Sequence, residues 1–286
     1  MNLYPINSGN FKLDGGAMFG VVPKSLWQRT NPADANNMID IAARCLLIED
    51  GNRLILIDTG MGNKQSDKFF GYYHLWGDDT LEKSLKTHGF HPDDITDVFL
   101  THLHFDHSGG CVQWNKDRTG YEPVFKNAHY WSNEDHWQWA TQPNNREKAS
   151  FLKENILPFE ESGQLKFTQL PETNLLKNST LGFDIFFADG HTDKQMIPLI
   201  NYNGKTIAFM ADLLPTVGHL PIPFVMGYDT RPLLTLDEKE HFLNLAADNN
   251  YYLFLEHDAH NEIITVKHTE KGVRLNNTFS TQDIFK

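Results

Sequence analysis

The sequence of 286 residues is acidic, with 37 Asp and Glu against 25 Lys and Arg and a net charge of −12 at pH 7. This length suits one or two domains that bury a core without disulfides, and 40% hydrophobic with 22% charged residues excludes disorder and fibrous repeats. The acidic excess disfavours nucleic acid and anionic membranes as partners and favours a small-molecule substrate.

The first residues have neither the basic start nor the apolar stretch of a secretion signal, and no run of 18 apolar residues predicts a membrane-spanning helix. We therefore expect a cytoplasmic protein. Cys45 and Cys111 are too few for a disulfide framework and lie outside any Cys-x-x-Cys pair, which favours packing roles. Without repeats, low-complexity tracts or long linkers, the chain is predicted to form a single domain, residues 1–286.

The first predicted elements in chain order are two apolar strands, residues 39–49 and 53–58, joined by a turn into a hairpin. Asp79-Thr80-Leu81-Glu82 matches a capping box and predicts a helix over residues 80–88. A buried strand follows at residues 97–100. Two further helices are expected, one starting at Ser132 with Ser132 and Asp135 as caps, the other over residues 147–157.

The second half of the sequence predicts strands at residues 183–188, 196–202 and 205–211, the last two joined at Asn203-Gly204. A second capping box, from Thr235 to Glu238, predicts a helix to about residue 247, and residues 251–256 form a final core strand. Hairpins and crossovers in mixed order favour an α/β fold with sheets covered by helices over a simple doubly wound sheet.

The strongest functional signal is His102-Leu103-His104-Phe105-Asp106-His107, directly after the strand at residues 97–100. His102 and His104 point to the same side of an extended strand end, while Asp106 and His107 enter from the following turn. Such spacing arises by chance in on the order of one chain in a thousand. Imidazoles with a carboxylate suit zinc, iron or manganese, whereas calcium and magnesium prefer oxygen ligands.

Three further candidate ligands each close a predicted strand: His191, Asp212 and His257. Residues at the ends of neighbouring strands converge on one edge of a sheet, where open α/β folds place their sites. Taken alone, each also fits an ordinary polar loop residue. Together with the histidine motif, they favour a metal site.

With these residues the sequence resembles the metallo-β-lactamase superfamily. Its opening motif is present as Leu56-Ile57-Asp58-Thr59-Gly60, and its signature runs from His102 to His107. The resemblance covers nearly the whole chain and implies an αββα sandwich, in which two mixed β-sheets are covered by helices. It also implies two divalent metal ions, with Zn²⁺ first and iron or manganese as alternatives.

The resemblance assigns a role to each candidate. It implies that His102, His104 and His191 hold one metal, that Asp106, His107 and His257 hold the second, and that Asp212 bridges both, with Asp58 buried behind the ligands. Two divalent ions about 3.5–4 Å apart bring the pKa of a bridging water toward about 7. Asp106 and Asp212 are then the catalytic residues that orient the resulting hydroxide or accept its proton, and the site is that of a hydrolase.

Several branches of the superfamily are disfavoured by residue type. His104 stands where flavodiiron oxidases carry Glu, and Asp212 stands where secreted B1 β-lactamases carry Cys. The RNA-processing branches have basic surfaces that this acidic chain lacks. The 29 residues after His257, 258–286, leave little room for the helical substrate domain of glyoxalase II.

Two segments resemble the quorum-quenching N-acyl homoserine lactonases and their methyl-parathion-hydrolase-like relatives. The first runs from Asp14 to Lys24, and the second from Ala211 to Thr216 and on to His219. A tight turn before an edge strand is the competing explanation for the first segment. The resemblance implies a lactonase that uses a metal-bridging hydroxide, and a homodimer. A phosphotriesterase or arylesterase of the same fold, and a non-catalytic ligand-binding member, remain alternatives.

An apolar wall for the acyl chain of a lactone is predicted from aromatic and methionine side chains, with one histidine as a polar contact. Core packing or a dimer interface is the competing explanation for the aromatic residues, and an ordinary surface histidine is the competing explanation for the polar one. The predicted substrate residues are Met18, Phe19, Phe70, Tyr73 and His219.

Overall fold

The computed structural model describes residues 1–286. The strands β1 to β15 span, in order, Asn2–Asp14, Met38–Asp50, Arg53–Ile57, Asp97–Phe99, Val112–Trp114, Tyr121–Pro123, His129–Asn133, Leu165–Thr168, Leu175–Leu176, Asp184–Ala188, Gln195–Tyr202, Lys205–Phe209, Tyr252–Phe254, Ile263–Thr269 and Gly272–Phe279. The helices α1 to α9 span Gly15–Phe19, Lys24–Trp27, Asp67–Gly71, Leu81–Thr87, Phe105–Ser108, Glu134–Thr141, Lys153–Glu161, Pro232–Asp248 and Thr281–Ile284. None of these helices is long and apolar enough to cross a bilayer.

Most strands belong to two mixed sheets. The first has the order β1-β2-β3-β4-β7-β8, in which β2 and β3 are antiparallel and β3, β4, β7 and β8 are parallel. The second has the order β15-β14-β13-β12-β11-β10-β9, in which only the β12–β13 pairing is parallel. Strands β5 and β6 form a separate hairpin.

The chain divides into two compact units, which we call unit 1 (residues 1–10 and 43–170) and unit 2 (residues 11–42 and 171–286). In unit 1 the apolar parallel strands bury side chains such as Leu56, Val98 and Tyr130. In unit 2, Phe186 of β10 packs edge-on against Phe242 of α8 at 5.1 Å between ring centroids. The expectation of one domain over residues 1–286 stays a prediction.

The strand directions place the candidate ligands of each unit at one sheet edge. In unit 1 the parallel strands β3, β4 and β7 lead to Asp58, the histidine motif and α6. In unit 2, β10, β12 and β13 run in the same direction, because β10 and β12 are each antiparallel to β11 and β13 is parallel to β12. His191, Asp212 and His257 therefore follow the carboxyl ends of these three strands, as predicted.

Several predicted elements are confirmed. The hairpin of residues 39–49 and 53–58 is β2 and β3, with Asp50 opposite Arg53 at its turn. The strands predicted at residues 97–100, 183–188, 196–202, 205–211 and 251–256 are β4, β10, β11, β12 and β13, each shifted by a few residues at most. Cys45 and Cys111 are free and buried, in agreement with packing roles.

The helix starts were predicted less well. In α4 the cap is Thr80, whose side chain accepts from Lys83 N–H, so the box does not begin at Asp79. Ser132 lies in β7 and does not cap α6; Asn133 does, through Oδ1 and the N–H of His136. Helix α8 begins three residues before Thr235, because Pro232 suits the first helical position, where no N–H is needed.

The helix predicted over residues 147–157 is wrong in its bounds, since α7 spans Lys153–Glu161. The Asn144 side chain accepts from the N–H groups of Arg146 and Glu147 and so holds the preceding residues in a turn. The sequence reading also missed β1 and the hairpin of β14 and β15, whose polar residues obscure the alternation.

Candidate metal centre

In unit 1, Asp58 orients two histidines of the motif. The fully buried carboxylate accepts from Thr101 N–H at Oδ1 (2.8 Å) and from the Thr101 hydroxyl at Oδ2 (2.7 Å). His107 Nδ1 lies 3.0 Å from Oδ2, and His102 Nδ1 lies 3.1 Å from the Thr101 hydroxyl oxygen. Because Thr101 gives its proton to Asp58, it accepts from His102. Both imidazoles therefore carry their proton on Nδ1 and present the lone pair of Nε2.

The spacing of donors within the motif fits a metal. His102 Nε2 and His104 Nδ1 are 3.0 Å apart, and nitrogens bound at about 2.0–2.1 Å in a tetrahedral zinc site lie roughly 3.3 Å from each other. The other nitrogen of His104, Nε2, faces Glu147 Oε1 at 3.5 Å. Asp106 Oδ1 lies 3.9 Å from His107 Nε2.

The main chain of the motif is held from α6 and from its own helix. His136 is fully buried, and its Nε2 accepts from the N–H of Leu103, between the two leading histidines, at 2.9 Å. The Ser108 hydroxyl lies within hydrogen-bond distance of the carbonyl oxygens of Leu103 and His104. These contacts fix the direction in which His102 and His104 leave the backbone.

In unit 2, Asp212 places one carboxylate oxygen at each of two histidines. Its Oδ2 lies 3.1 Å from His191 Nε2, and its Oδ1 lies 3.0 Å from His257 Nε2. The second nitrogens are also engaged: His191 Nδ1 lies 2.9 Å from Asp229 Oδ1, and His257 Nδ1 donates to the Ala42 carbonyl at 2.8 Å. Both imidazoles thus direct Nε2 at the same carboxylate.

Burial by itself lowers the pKa of His191, but the negative charges of Asp212 and Asp229 outweigh it and raise the pKa to about 10. Two carboxylates around one imidazole create a site for a positive charge. A divalent cation at Nε2 satisfies the same carboxylates as the proton does, so the electrostatics of unit 2 favour a metal.

The residues of both units fit a metal by the chemistry of their donors. In each predicted histidine ligand, one ring nitrogen faces an atom of another predicted metal ligand. The second ring nitrogen faces a carboxylate, hydroxyl or carbonyl oxygen, which is the arrangement found in metal-binding histidines. All are buried, which shields them from water. The predicted ligands, all of donor types that bind metals, are His102, His104, Asp106 and His107 in unit 1 and His191, Asp212 and His257 in unit 2.

Of the predicted substrate residues in unit 1, Tyr73 contacts Phe105, which precedes Asp106, and Phe70 contacts Phe69, a neighbour of Phe105. The Tyr73 ring lies 4.9 Å from Phe105 and 5.0 Å from Phe69. Burial, with the charge of Asp106, raises the pKa of Tyr73 to about 12. Phe70 is partly exposed and contacts Phe69 edge-on at 5.6 Å.

Those of unit 2 are buried and contact one another. Met18 and Phe19 lie in α1, which Asp14 caps by accepting from Ala17 N–H. The ring of His219 stacks on Phe19 at 4.2 Å, its Nε2 lies 2.8 Å from the Met18 carbonyl oxygen, and its Nδ1 lies 2.8 Å from the Thr216 hydroxyl. Burial lowers the pKa of His219 to about 3, so the ring is neutral and supports α1. Contact with a substrate stays a prediction for these residues.

Of the residues that orient the predicted ligands, sequence reasoning named Asp58 but missed four others. Thr101 directly precedes His102, so its position next to the motif could have identified it. No motif in the sequence marks Glu147 or Asp229, and His136 has no other candidate ligand at a spacing typical of a metal site. They are recognised only by their contacts with His104, His191 and Leu103.

Residues 40–257 match the family described as the Metallo-beta-lactamase superfamily. The chain belongs to this superfamily. The predicted metallo-β-lactamase fold, of α/β class with mixed sheets and helices, is confirmed. A probable metal-dependent hydrolase from Staphylococcus aureus is 28% identical with a TM-score of 0.83 over 97% of this chain and 95% of that one.

Lactonases are among the similar members of the superfamily. AidC, a dizinc quorum-quenching lactonase, has a TM-score of 0.77 at 24% identity over 98% of this chain and 95% of its own, which is a likeness of fold. N-acyl homoserine lactonase AiiA of Bacillus thuringiensis subsp. kurstaki is 29% identical over 108 residues, 32% of this chain and 43% of that protein. The chain spans about half the length of the curated relatives it matches.

Proposed function

We propose that this superfamily member is a dinuclear metal-dependent hydrolase that opens the ring of N-acyl homoserine lactones or related lactones. The observation that carries the proposal is the position of Asp212, whose two oxygens face the Nε2 atoms of His191 and His257. One carboxylate directed at two imidazoles is what a bridging ligand between two ions requires. The likeness to AiiA and AidC supports the lactone as substrate.

In the proposed ligand sets, His102, His104 and His191 would hold the first ion, Asp106, His107 and His257 would hold the second, and Asp212 would serve both. Zn²⁺ is the proposed metal, supported by the dizinc centre of AidC. Iron and manganese suit the same imidazole and carboxylate donors.

Two divalent ions, when bound, supply a water of lowered pKa as the nucleophile and polarise the lactone carbonyl. Asp106 and Asp212 would orient that water toward the carbonyl or accept its proton as the new C–O bond forms. The ring C–O bond then breaks, and the proton passes to the departing alkoxide, which becomes the hydroxyl group of the product. Tyr73, whose pKa of about 12 keeps the phenol protonated, is able to donate a hydrogen bond to the ester. The apolar side chains Met18, Phe19 and Phe70 are proposed to contact the acyl chain.

The test combines metal analysis with a pH-indicator assay of the same sample on acyl homoserine lactones, an aryl ester, a thioester and a phosphotriester. We expect two metals per chain and metal-dependent acid release from the lactones. His104→Ala and Asp212→Asn should each lower kcat/KM by at least about 100-fold and release metal. His268→Ala is the control, because this exposed histidine pairs with Asp248.

Turnover of the phosphotriester or thioester with no acid from any lactone would contradict the substrate proposal. An activity that survives metal removal would contradict the proposed centre itself. A homodimer and a cytoplasmic location also stay proposals, to be tested by light scattering and cell fractionation.

A further inference from the structure

Lys239, in the middle of α8, is 1% exposed and is held by main-chain carbonyl oxygens of a single loop. Its ammonium donates to the carbonyls of His219 (3.0 Å), Pro221 (3.3 Å) and Phe224 (2.7 Å). A lysine ammonium has three donors and no acceptor, so this loop can satisfy it fully. Burying such a charge costs free energy unless it is hydrogen-bonded. We therefore expect the hydrogen bonds between Lys239 and this loop to have a role.

The loop that Lys239 holds supports the predicted wall of the substrate pocket. Its first residue, His219, stacks on Phe19 and contacts the Met18 carbonyl. Its last, Phe224, meets the Phe19 ring edge-on at 6.4 Å between centroids. Without the ammonium, three carbonyl groups lose a buried donor and the loop loses its attachment to α8.

The residue before Lys239 holds a different part of unit 2. The Glu238 carboxylate accepts from the N–H groups of Asp189 (2.7 Å) and Gly190 (2.9 Å), which directly precede His191. Successive residues of a helix point about 100° apart, so two neighbours on α8 reach two separate loops. One loop carries a predicted metal ligand, and the other supports Met18 and Phe19.

We propose that Lys239 is a positioning residue that sets the affinity for the acyl chain by fixing the loop of residues 219–224 beneath Met18 and Phe19, while Glu238 separately sets metal affinity through the loop of His191. The inference rests on the proposed lactonase function. It predicts that two adjacent residues of α8 control two different properties.

The experiment compares Lys239→Met, Glu238→Gln and the exposed neighbour Glu240→Gln in the metal-loaded full chain at pH 6.5. Lys239→Met should raise KM for an N-decanoyl homoserine lactone at least tenfold, with kcat within twofold and metal content unchanged. Glu238→Gln should lose metal to a chelator at least tenfold faster with KM unchanged. Glu240→Gln should match the wild type. Lys239→Arg keeps the N–H donors, so its KM should lie close to that of the wild type.

If Lys239→Met is insoluble, Lys239→Gln is measured in the same way, because its amide keeps two N–H donors and should give a smaller rise in KM. An unchanged KM, or a fall in kcat and metal content in place of the rise in KM, overturns the proposal.

Hydrogen exchange gives a readout that does not depend on activity. Amides of residues 217–225 should exchange faster in Lys239→Met than in the wild type, while those of residues 189–191 stay unchanged. Equal exchange in the two proteins contradicts the role of Lys239 even if no lactone is turned over. Faster exchange in a protein that opens no lactone instead overturns the proposed substrate.

Discussion

A single buried carboxylate, Asp58, orients His107 directly and His102 through Thr101. Asp58→Asn replaces one acceptor oxygen with a donor, so at least one imidazole loses its fixed tautomer. We expect metal affinity to fall about 10- to 100-fold, measured by competition with a chromogenic chelator.

The matched control is Asp97→Asn, since Asp97 is also buried in unit 1 but accepts from Trp131 and Arg53, away from the motif. It should lower stability and leave metal affinity unchanged. Equal losses of metal in both variants would show that Asp58 acts through general stability.

Lys239 should make stability depend on pH. Burial lowers its pKa from 10.5 in the unfolded chain to about 7, so between these values the unfolded chain binds more protons than the folded one. The free energy of unfolding should therefore rise with pH over this window. Urea unfolding of wild type and Lys239→Met at pH 6.5, 8 and 9 checks this. A difference between the two proteins that does not change with pH would contradict it.

At the scale of elements, the turn after the histidine motif depends on close backbone contact. A Cβ on Gly109 would lie 2.1 Å from the Met61 carbonyl oxygen and 2.4 Å from its carbon. Gly109→Ala should therefore cost about 1–3 kcal/mol in the free energy of unfolding and weaken metal retention, because the turn follows His107 directly. Thermal unfolding with metal analysis measures both.

Gly71→Ala, in the same unit, is the control for this substitution. A Cβ there meets nothing within 4 Å, and alanine suits a helix better than glycine by roughly 0.5–1 kcal/mol. The control should be as stable as the wild type or slightly more so. Equal stability of both variants would show that the backbone yields at Gly109.

At the scale of the whole molecule, the proposed centre takes its seven ligands from widely separated positions, between 102 and 257 in the sequence. Metal that binds only the folded chain stabilises it by mass action, so chelation should lower the melting temperature. If the seven ligands form one centre, removing metal should speed hydrogen exchange near residues 102–107 and also near residues 191, 212 and 257.

His104→Ala also tests whether the seven ligands form one centre. Its substitution in unit 1 should speed exchange around His191 and His257 in unit 2 as metal removal does. Faster exchange confined to unit 1 would show that the two sets of ligands act separately.

The sequence alone determined the family, the mixed α/β class and the candidate ligands. This was possible because these signals are local: His102 to His107 lie within six residues, and apolar runs mark β2, β3, β4 and β12. The start of α6 depends on which nearby side chain accepts from its free N–H groups, whereas α7 follows Leu152 without a side-chain cap. Asn133, and not Ser132, accepts at the start of α6, and Asn144 holds Arg146 and Glu147 in a turn ahead of α7. Composition and spacing do not reveal either contact.

Only the tertiary structure decided what orients the ligands. The acceptors for His102, His107 and His191 are side chains, while His257 donates to the Ala42 carbonyl, 215 residues away in the sequence. Any residue can offer a carbonyl, so no sequence pattern marks this partner. Lys239 likewise meets three carbonyls 15 to 20 residues away. The sequence shows which side chains are able to bind a metal. The directions in which these side chains point follow from strand pairing and helix packing between residues far apart in the sequence.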